Sequence, residues 1–196
     1  MSSRTILGID PGISRMGYAI LEVTRGSLKL KKFGVIETSK GLDLGDRLHR
    51  IYRQVRSLIS SFHPDTVALE TLAFSRNVTT ALAVGEASGV VRLAAAESNI
   101  PVKEFSPLEV KQSITGYGRA DKRQVQRMIQ AIFSLKHLPS PDDAADAIAI
   151  AVCGSRSQFT QPHGKPRVAA RGGTTSGVPP VVAQRPRLES RGAGFT

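Results

Sequence analysis

The chain has 196 residues, with 27 lysines and arginines against 16 aspartates and glutamates, so its formal net charge is +11. This length suits one domain with an appendage, and this charge favours a polyanionic partner, either nucleic acid or an anionic membrane surface. No stretch approaches the roughly 20 apolar residues of a membrane helix. A single cysteine, Cys153, excludes an internal disulfide and a multi-cysteine zinc site. Residues 1–4 lack the apolar core of a signal peptide, so we expect a cytoplasmic location.

The C-terminal part differs in composition from the rest of the chain. Residues 154–196 contain seven basic residues and one acidic residue, seven glycines and five prolines, and no hydrophobic period. Such a segment cannot bury enough apolar surface to offset its ordering entropy. We therefore predict a folded domain over residues 1–155 and a disordered basic tail over residues 156–196. The tail would either attract phosphate without specificity or remain a solvated extension.

Three strands are predicted at the start of the chain. Residues 5–9 form a short apolar run that ends at an Asp-Pro-Gly turn. Residues 17–23 are typical of a second strand, and residues 28–37 complete an antiparallel meander.

A helix is predicted between residues 44 and 62, where apolar residues recur at three- and four-residue steps. Residues 66–70 are typical of a buried strand, and a strand that follows a helix implies parallel pairing with the first strand. A second long helix is predicted for residues 78–99. It carries small residues on its predicted exposed side, namely Ala83, Gly85, Ala87 and Gly89.

The second half of the domain begins with a predicted strand at residues 101–105. Ser106-Pro107 is typical of a helix start, and Asp121, with Gln124 three residues on, is the predicted N-cap of the next helix. The buried stripe of that helix is expected to consist of Val125, Met128, Ile129, Ile132 and Phe133. A last helix begins at Asp142. This order of elements predicts an α/β fold in which helices flank a mixed five-stranded sheet.

Two carboxylates end two of the predicted strands. Asp10 ends the first strand and Glu70 ends the fourth. If those strands are parallel neighbours, both carboxylates emerge at the edge where open α/β sheets place their sites. Adjacent carboxylates repel each other and are costly to desolvate, and a divalent cation relieves that cost. Oxygen ligands alone favour Mg²⁺ or Mn²⁺. From spacing alone, a turn residue and a strand cap explain the two acids equally well.

A third acidic cluster lies at the start of the last helix. Asp143 and Asp146 are spaced i, i+3 and so share one helical face, among small alanines that would let the helix approach the sheet. No neighbour along the helix offsets their repulsion. An exposed acidic first turn is the alternative, and it is the role expected for Asp142. Four acids meeting at one point would support two-metal hydrolysis, with one ion activating water and the other stabilising the leaving oxygen.

Basic side chains are also needed to hold a nucleic-acid backbone. The candidates near the predicted site are Arg76, Lys111, Arg119, Lys122 and Arg123. Each alone is more often a solvated surface charge. The last three are favoured because they cluster in a glycine-containing loop and a helix start.

Four blocks of the sequence together resemble the RuvC-type Holliday-junction resolvases. They are residues 6–12 with Gly17-Tyr18; Glu70 with Phe74, Asn77 and residues 85–90; residues 110–112, 116–118, 121–122 and 125–126; and residues 143–149. The resemblance implies a ribonuclease-H-like fold and a homodimer that binds a four-way DNA junction. It also implies two symmetric, Mg²⁺-dependent nicks that resolve the junction in recombination and repair, and a branch-migrating motor complex as partner.

The resemblance also assigns residues. It implies metal-binding acids at Asp10, Glu70, Asp143 and Asp146, which would hold two Mg²⁺ ions or, equally well, Mn²⁺. It places Lys111 and Lys122 near the scissile phosphate. Many members carry an aromatic side chain at the position of Ala73, where it wedges against junction bases; in this chain Phe74 alone remains nearby.

Other functions share parts of this pattern. The Asp-Pro-Gly turn also resembles the opening of actin-like phosphotransferases, but those need a second phosphate loop and two domains, for which this chain is too short. A resolvase-like nuclease that acts on RNA would share the fold. A non-catalytic junction-binding protein would gain nothing from concentrated negative charge. The acids, together with Lys111 and Lys122, favour a metal-dependent DNA endonuclease.

Overall fold

A mixed five-stranded sheet runs through the centre of the protein in a computed structural model that describes residues 3–71 and 78–156. The strands are β1 (Arg4–Asp10), β2 (Arg15–Thr24), β3 (Ser27–Glu37), β4 (Thr66–Glu70) and β5 (Val102–Phe105). The helices of the described residues are α1 (Leu44–Phe62), α2 (Val78–Glu97), α3 (Pro107–Thr115), α4 (Lys122–Ile132) and α5 (Asp142–Arg156). The predicted fold class is confirmed.

The order of the strands in the sheet is β3-β2-β1-β4-β5. β1, β2 and β3 form the antiparallel meander, whereas β4 runs parallel to β1 and β5 runs parallel to β4. Ile9 of β1 is level with Leu69 of β4 in this register. The next residues along the two parallel strands, Asp10 and Glu70, therefore end the strands side by side, as the sequence predicted.

Each face of the sheet has its own apolar core. On one face, Leu7, Ile9 and Leu69 pack with α1 and α2. On the other face, Ile6 and Ala68 pack with α3, α4 and α5. Because side chains alternate between the faces of a strand, Asp10 and Glu70 fall on the face that α5 covers.

Two glycines let α5 lie unusually close to the sheet. A Cβ atom at Gly8 would be 2.4 Å from the carbonyl oxygen of Ala147, and one at Gly17 would be 1.9 Å from the carbonyl oxygen of Asp143. No other residue type fits these two contacts without moving backbone. The first two turns of α5 are thereby held against β1 and β2, next to the strand ends that carry Asp10 and Glu70.

Local signals placed most helix ends correctly. Ser106 and Asp121 each form a capping box, with Glu109 and Gln124 respectively. α5 continues through Arg156, one residue past the predicted domain boundary. The predicted tail beyond that residue lies outside the described residues. No helix of the described part is long and apolar enough to cross a membrane.

Two predicted helix faces were wrong in part. Ala87 is fully buried in the core between α2 and the sheet, not on the exposed side of α2. Met128 is 40% exposed, and Gln126 is the buried residue beside Val125 on α4 instead. Gln126 is buried because its amide donates to Asp142 of α5 at 2.9 Å, a partner that periodicity cannot reveal.

Candidate active site

Four charged side chains line one cleft at the carboxyl ends of β1 and β4. The cleft has a volume of about 220 Å³, and its charged lining consists of Glu70, Lys111, Lys122 and Asp146. Glu70 comes from the end of β4, Lys111 from α3, Lys122 from the first residue of α4, and Asp146 from α5. Acidic and basic groups from four elements thus face the same space.

Asp10 adds a further carboxylate to this group. Burial, followed by the negative charges of Asp146, Glu70 and Asp143, raises the pKa of Asp10 from 3.8 to about 8. A carboxyl group with that pKa is mostly protonated near neutral pH when no cation is bound. The coupling to three other acids shows that all four carboxyl groups share one electrostatic environment.

The pKa values of Glu70 and Asp146 are also raised. Burial is the largest cause for both, and the charge of Asp146 adds to it for Glu70. Lys111 partly offsets the shift at Glu70, and Lys122 partly offsets the shift at Asp146. Each lysine therefore offsets only part of the rise in pKa of the acid beside it.

Lys122 connects the start of α4 to the start of α5. Its Nζ lies 3.2 Å from Asp146 and 3.3 Å from Asp142. Partial burial disfavours the charged ammonium, but the two carboxylates outweigh that effect and raise the pKa of Lys122. The capping box of Asp121 immediately precedes Lys122 and fixes the direction of the first turn of α4.

Asp143 has a different partner. The Nε atom of Arg15, at the start of β2, lies 3.1 Å from Oδ2 of Asp143, with side-chain exposures of 53% and 25% respectively. Arg15 and Asp143 form an ion pair without a hydrogen bond. The buried Oδ2 atom of Asp143 accepts no hydrogen bond from the described residues. A buried carboxylate oxygen that accepts no hydrogen bond is costly, and coordination of a cation would offset that cost.

The carboxyl groups fit a divalent cation by their chemistry. All four candidate ligands supply oxygen, which Mg²⁺ and Mn²⁺ prefer, and their mutual repulsion leaves a charge that a cation would neutralise. Within residues 3–71 and 78–156, however, no three histidine, cysteine or acidic side chains already stand close enough to hold one ion. Asp143 is instead paired with Arg15, and Asp146 with Lys122.

The chain is similar to known proteins over most of its length. Residues 6–154 match the sequence profile of the family described as crossover junction endodeoxyribonuclease RuvC. The protein of that name from Roseiflexus sp. (strain RS-1) is 49% identical over 153 residues, covering 78% of this chain and 91% of the relative. Its counterpart from Caldicellulosiruptor saccharolyticus is 50% identical over 149 residues, covering 76% of this chain and 90% of the relative.

This chain belongs to the RuvC family. Its structure is similar to that of T. thermophilus RuvC solved in complex with a Holliday junction substrate, with a TM-score of 0.74 and 36% sequence identity. The match covers 76% of this chain and 92% of that one. The chain is therefore an enzyme of the crossover junction endodeoxyribonuclease class.

The predicted site residues of this RuvC-family chain fall into three groups. Glu70, Asp146, Lys111 and Lys122 line the cleft, and Asp10 and Asp143 are electrostatically coupled to its acids. Arg119 and Arg123 are exposed and do not line the cleft. The remaining two candidates, Phe74 and Arg76, lie outside the described residues, as does Ala73.

Sequence reasoning missed two residues that shape the site of this RuvC-family member. Arg15 pairs with Asp143, and Gly17 admits the backbone of α5. The glycine within a strand pattern was a usable signal of close backbone approach. Arg15 gave no signal, because its partner lies on the last helix of the domain.

Proposed function

We propose that the chain resolves four-way DNA junctions by Mg²⁺-dependent hydrolysis of one phosphodiester in each of two symmetric strands. The observation that carries this proposal is the convergence of Glu70 and Asp146 with Lys111 and Lys122 in one cleft, with Asp10 electrostatically coupled to both acids. A site built only to bind phosphate would not gather acids that repel both the phosphate and one another.

The four carboxylates are the proposed ligands of two Mg²⁺ ions, and Mn²⁺ would suit the same ligands. When bound, the ions supply activation of a water molecule and stabilisation of the leaving oxygen. Asp10 and Glu70, fixed at the ends of adjacent parallel strands, are the rigid part of this site. Asp143 and Asp146 complete it from α5, whose position Gly8 and Gly17 determine.

Lys111 and Lys122 are the proposed contacts to the scissile phosphate. Both ammonium groups lie in the cleft that holds Glu70 and Asp146, so a phosphodiester placed there meets positive charge as well as the metal ligands. The release of Lys122 from Asp146 would make its Nζ available to the substrate. Arg119 and Arg123, exposed next to Lys122, and the candidates Arg76 and Phe74 are proposed contacts to the DNA farther from the cut.

The active form is proposed to be a homodimer, since two symmetric nicks in one junction require two copies of the site related by a two-fold axis. T. thermophilus RuvC was solved in complex with a Holliday junction, which supports the same substrate for this chain. A branch-migrating motor complex is the proposed partner, and the cytoplasm is the proposed location.

The proposal is tested with a synthetic four-way DNA junction, the matching linear duplex and a four-way RNA junction, each with and without Mg²⁺. Paired nicks in the DNA junction alone, and only with Mg²⁺, are the expected result. Equal cutting of linear duplex, or a preference for RNA, would contradict the proposed substrate.

Two neighbouring acids of α5 give matched variants for this assay. Asp146→Asn is expected to reduce cleavage by at least about 1,000-fold, because it removes a ligand that the ions require, while junction binding in EDTA persists. Asp142→Asn removes the same charge from the same helix end, also beside Lys122, but at a side chain that is 60% exposed. It is expected to slow cleavage less than tenfold. Equal losses in the two variants would contradict the assignment of Asp146.

A further inference from the structure

Arg15 is the basic residue that contacts an acid of the site from outside the cleft. It begins β2, and its Nε atom lies 3.1 Å from Oδ2 of Asp143 at the start of α5. The backbone beneath this pair is fixed, because Gly17, two residues along β2, packs against the carbonyl oxygen of Asp143. Any exchange of partners by Asp143 must therefore come from rotation of the two side chains.

The ion pair is suited to being broken. The Arg15 side chain is 53% exposed, so water competes for its charge, and such half-exposed pairs are weak. Oδ2 of Asp143 also accepts no hydrogen bond among the described residues, so the contact leaves that oxygen incompletely satisfied. A divalent cation carries twice the charge of a guanidinium group and would satisfy the oxygen by direct coordination.

Release of Arg15 would occur beside Asp143. Arg15 and Asp10 lie on the sheet face that α5 covers, since Gly17 pairs with Asp10 across β1 and β2 and Arg15 is two residues along the same strand. A guanidinium group freed there is half-exposed and has the geometry to bind a phosphate with two hydrogen bonds.

We propose that Arg15 is a positioning residue that occupies Asp143 in the metal-free enzyme and exchanges it, when the cation binds, for a phosphate of the bound DNA strand. This role rests on the proposed function, because it requires Asp143 to be a metal ligand. Binding of the cation and binding of DNA then favour each other, because the cation binds the Asp143 that Arg15 leaves and a phosphate of the DNA binds the released Arg15.

The first test is titration of the full chain with Mn²⁺, without DNA, followed by electron paramagnetic resonance. Arg15→Gln is expected to bind Mn²⁺ roughly two- to fivefold more tightly than the wild type, because the ion no longer competes with the guanidinium group. Arg15→Lys keeps the charge and is expected to restore an affinity near the wild-type value. Arg53→Gln removes the same charge from the exposed side of α1 and is expected to leave the affinity unchanged. Unchanged or weaker Mn²⁺ binding by Arg15→Gln overturns the proposal.

The second test measures junction binding in EDTA and in Ca²⁺. Arg15→Gln is expected to match the wild type in EDTA and to bind about three- to tenfold more weakly in Ca²⁺, as expected for one lost phosphate contact. An equal loss under both conditions overturns the exchange. If the wild type nicks the junction but Arg15→Gln changes neither Mn²⁺ binding nor junction binding in Ca²⁺, the role proposed for Arg15 is wrong and the proposed function stands. A wild type that neither binds Mn²⁺ nor nicks the junction overturns the proposed function as well.

Discussion

Gly17 of β2 and Asp143 of α5 are in such close contact that a Cβ atom at Gly17 would lie 1.9 Å from the carbonyl oxygen of Asp143. This contact places the start of α5 over the strand end that carries Asp10, which pairs with Gly17. The absence of a side chain at Gly17, together with that at Gly8, therefore sets how closely α5 brings Asp143 and Asp146 to Asp10 and Glu70.

Gly17→Ala is expected to destabilise the protein by about 1–3 kcal/mol, because the added methyl group displaces backbone in a packed core. Cleavage of a DNA junction is expected to fall by roughly 100-fold, since the shift separates Asp143 and Asp146 from Asp10 and Glu70. Urea unfolding and junction cleavage measure the two effects.

Gly45→Ala is the matched control for Gly17→Ala. An added Cβ at Gly45, in the first turn of α1, meets nothing within 4 Å. Replacement of a helical glycine by alanine is expected to leave cleavage unchanged and to stabilise the protein by about 0.5–1 kcal/mol. A Gly17→Ala variant that behaves like Gly45→Ala would show that α5 can move without loss of the site.

The contribution of Asp10 to the stability of the metal-free protein is expected to fall as the pH rises from 4 to 8. The pKa of Asp10 is raised from 3.8 to about 8 in the fold, so the folded state retains a proton that the unfolded chain releases over this range. The contribution of this group is thus most favourable below pH 4 and is lost as the pH rises to 8. Asp10→Asn removes that dependence and is expected to stabilise the metal-free protein at pH 8 by on the order of 2–5 kcal/mol.

Urea unfolding in EDTA at pH 5, 7 and 8.5 tests this expectation for the wild type and Asp10→Asn. Addition of Mg²⁺ at pH 8.5 should stabilise the wild type more than the variant, because the carboxylate is needed to bind the ion. If the free energy of unfolding changed with pH by the same amount in the two proteins, the raised pKa of Asp10 would be contradicted.

Binding of Mg²⁺ near neutral pH is expected to release protons. The pKa of Asp10 is raised to about 8, so its carboxyl group loses a proton when the ion binds near neutral pH. Affinity should therefore increase between pH 6 and pH 8, by up to about tenfold per unit for each proton released. Calorimetry in buffers with different ionisation enthalpies counts these protons.

Asp142→Asn is the control for proton release. Hydrogen bonds from Lys122 and Gln126 lower the pKa of Asp142, so its carboxyl group is already ionised near neutral pH. The variant should release as many protons as the wild type. No dependence of the wild-type binding enthalpy on the buffer would contradict this expectation.

Asp121 is expected to affect catalysis through the position of Lys122. Its side chain accepts a hydrogen bond from the backbone N–H of Gln124 at 2.8 Å, and Lys122 is the next residue along the chain. Asp121→Ala should cost about 0.5–2 kcal/mol of stability. It should also slow cleavage by roughly three- to tenfold, because the N-cap no longer holds the backbone of Lys122 in place. Asp121→Asn, which keeps the acceptor, should restore both quantities in unfolding and cleavage assays; failure to do so would assign the effect to charge.

Most of the fold could be predicted from the sequence because its signals are local. The alternating and helical hydrophobic periods gave the order of β1 to α5, and the capping residues Ser106 and Asp121 marked two helix starts. The position of Asp10 beside Glu70 followed from the parallel pairing of β1 and β4. That pairing is expected when a helix connects two strands by a right-handed crossover. Met128 was misplaced because a helical period shows one apolar stripe but not how far the neighbouring elements cover it.

The sequence by itself determined which residue types could bind a cation and that two strand ends would bring Asp10 and Glu70 together. Only the tertiary structure decided the partners of the acids from α5: Arg15 for Asp143, and Lys122 for Asp146. It also decided the pKa of Asp10, which depends on burial, on three carboxylates from β4 and α5, and on Lys122 of α4. These properties depend on distances between residues far apart along the chain, and such distances are set when the two cores pack against the sheet.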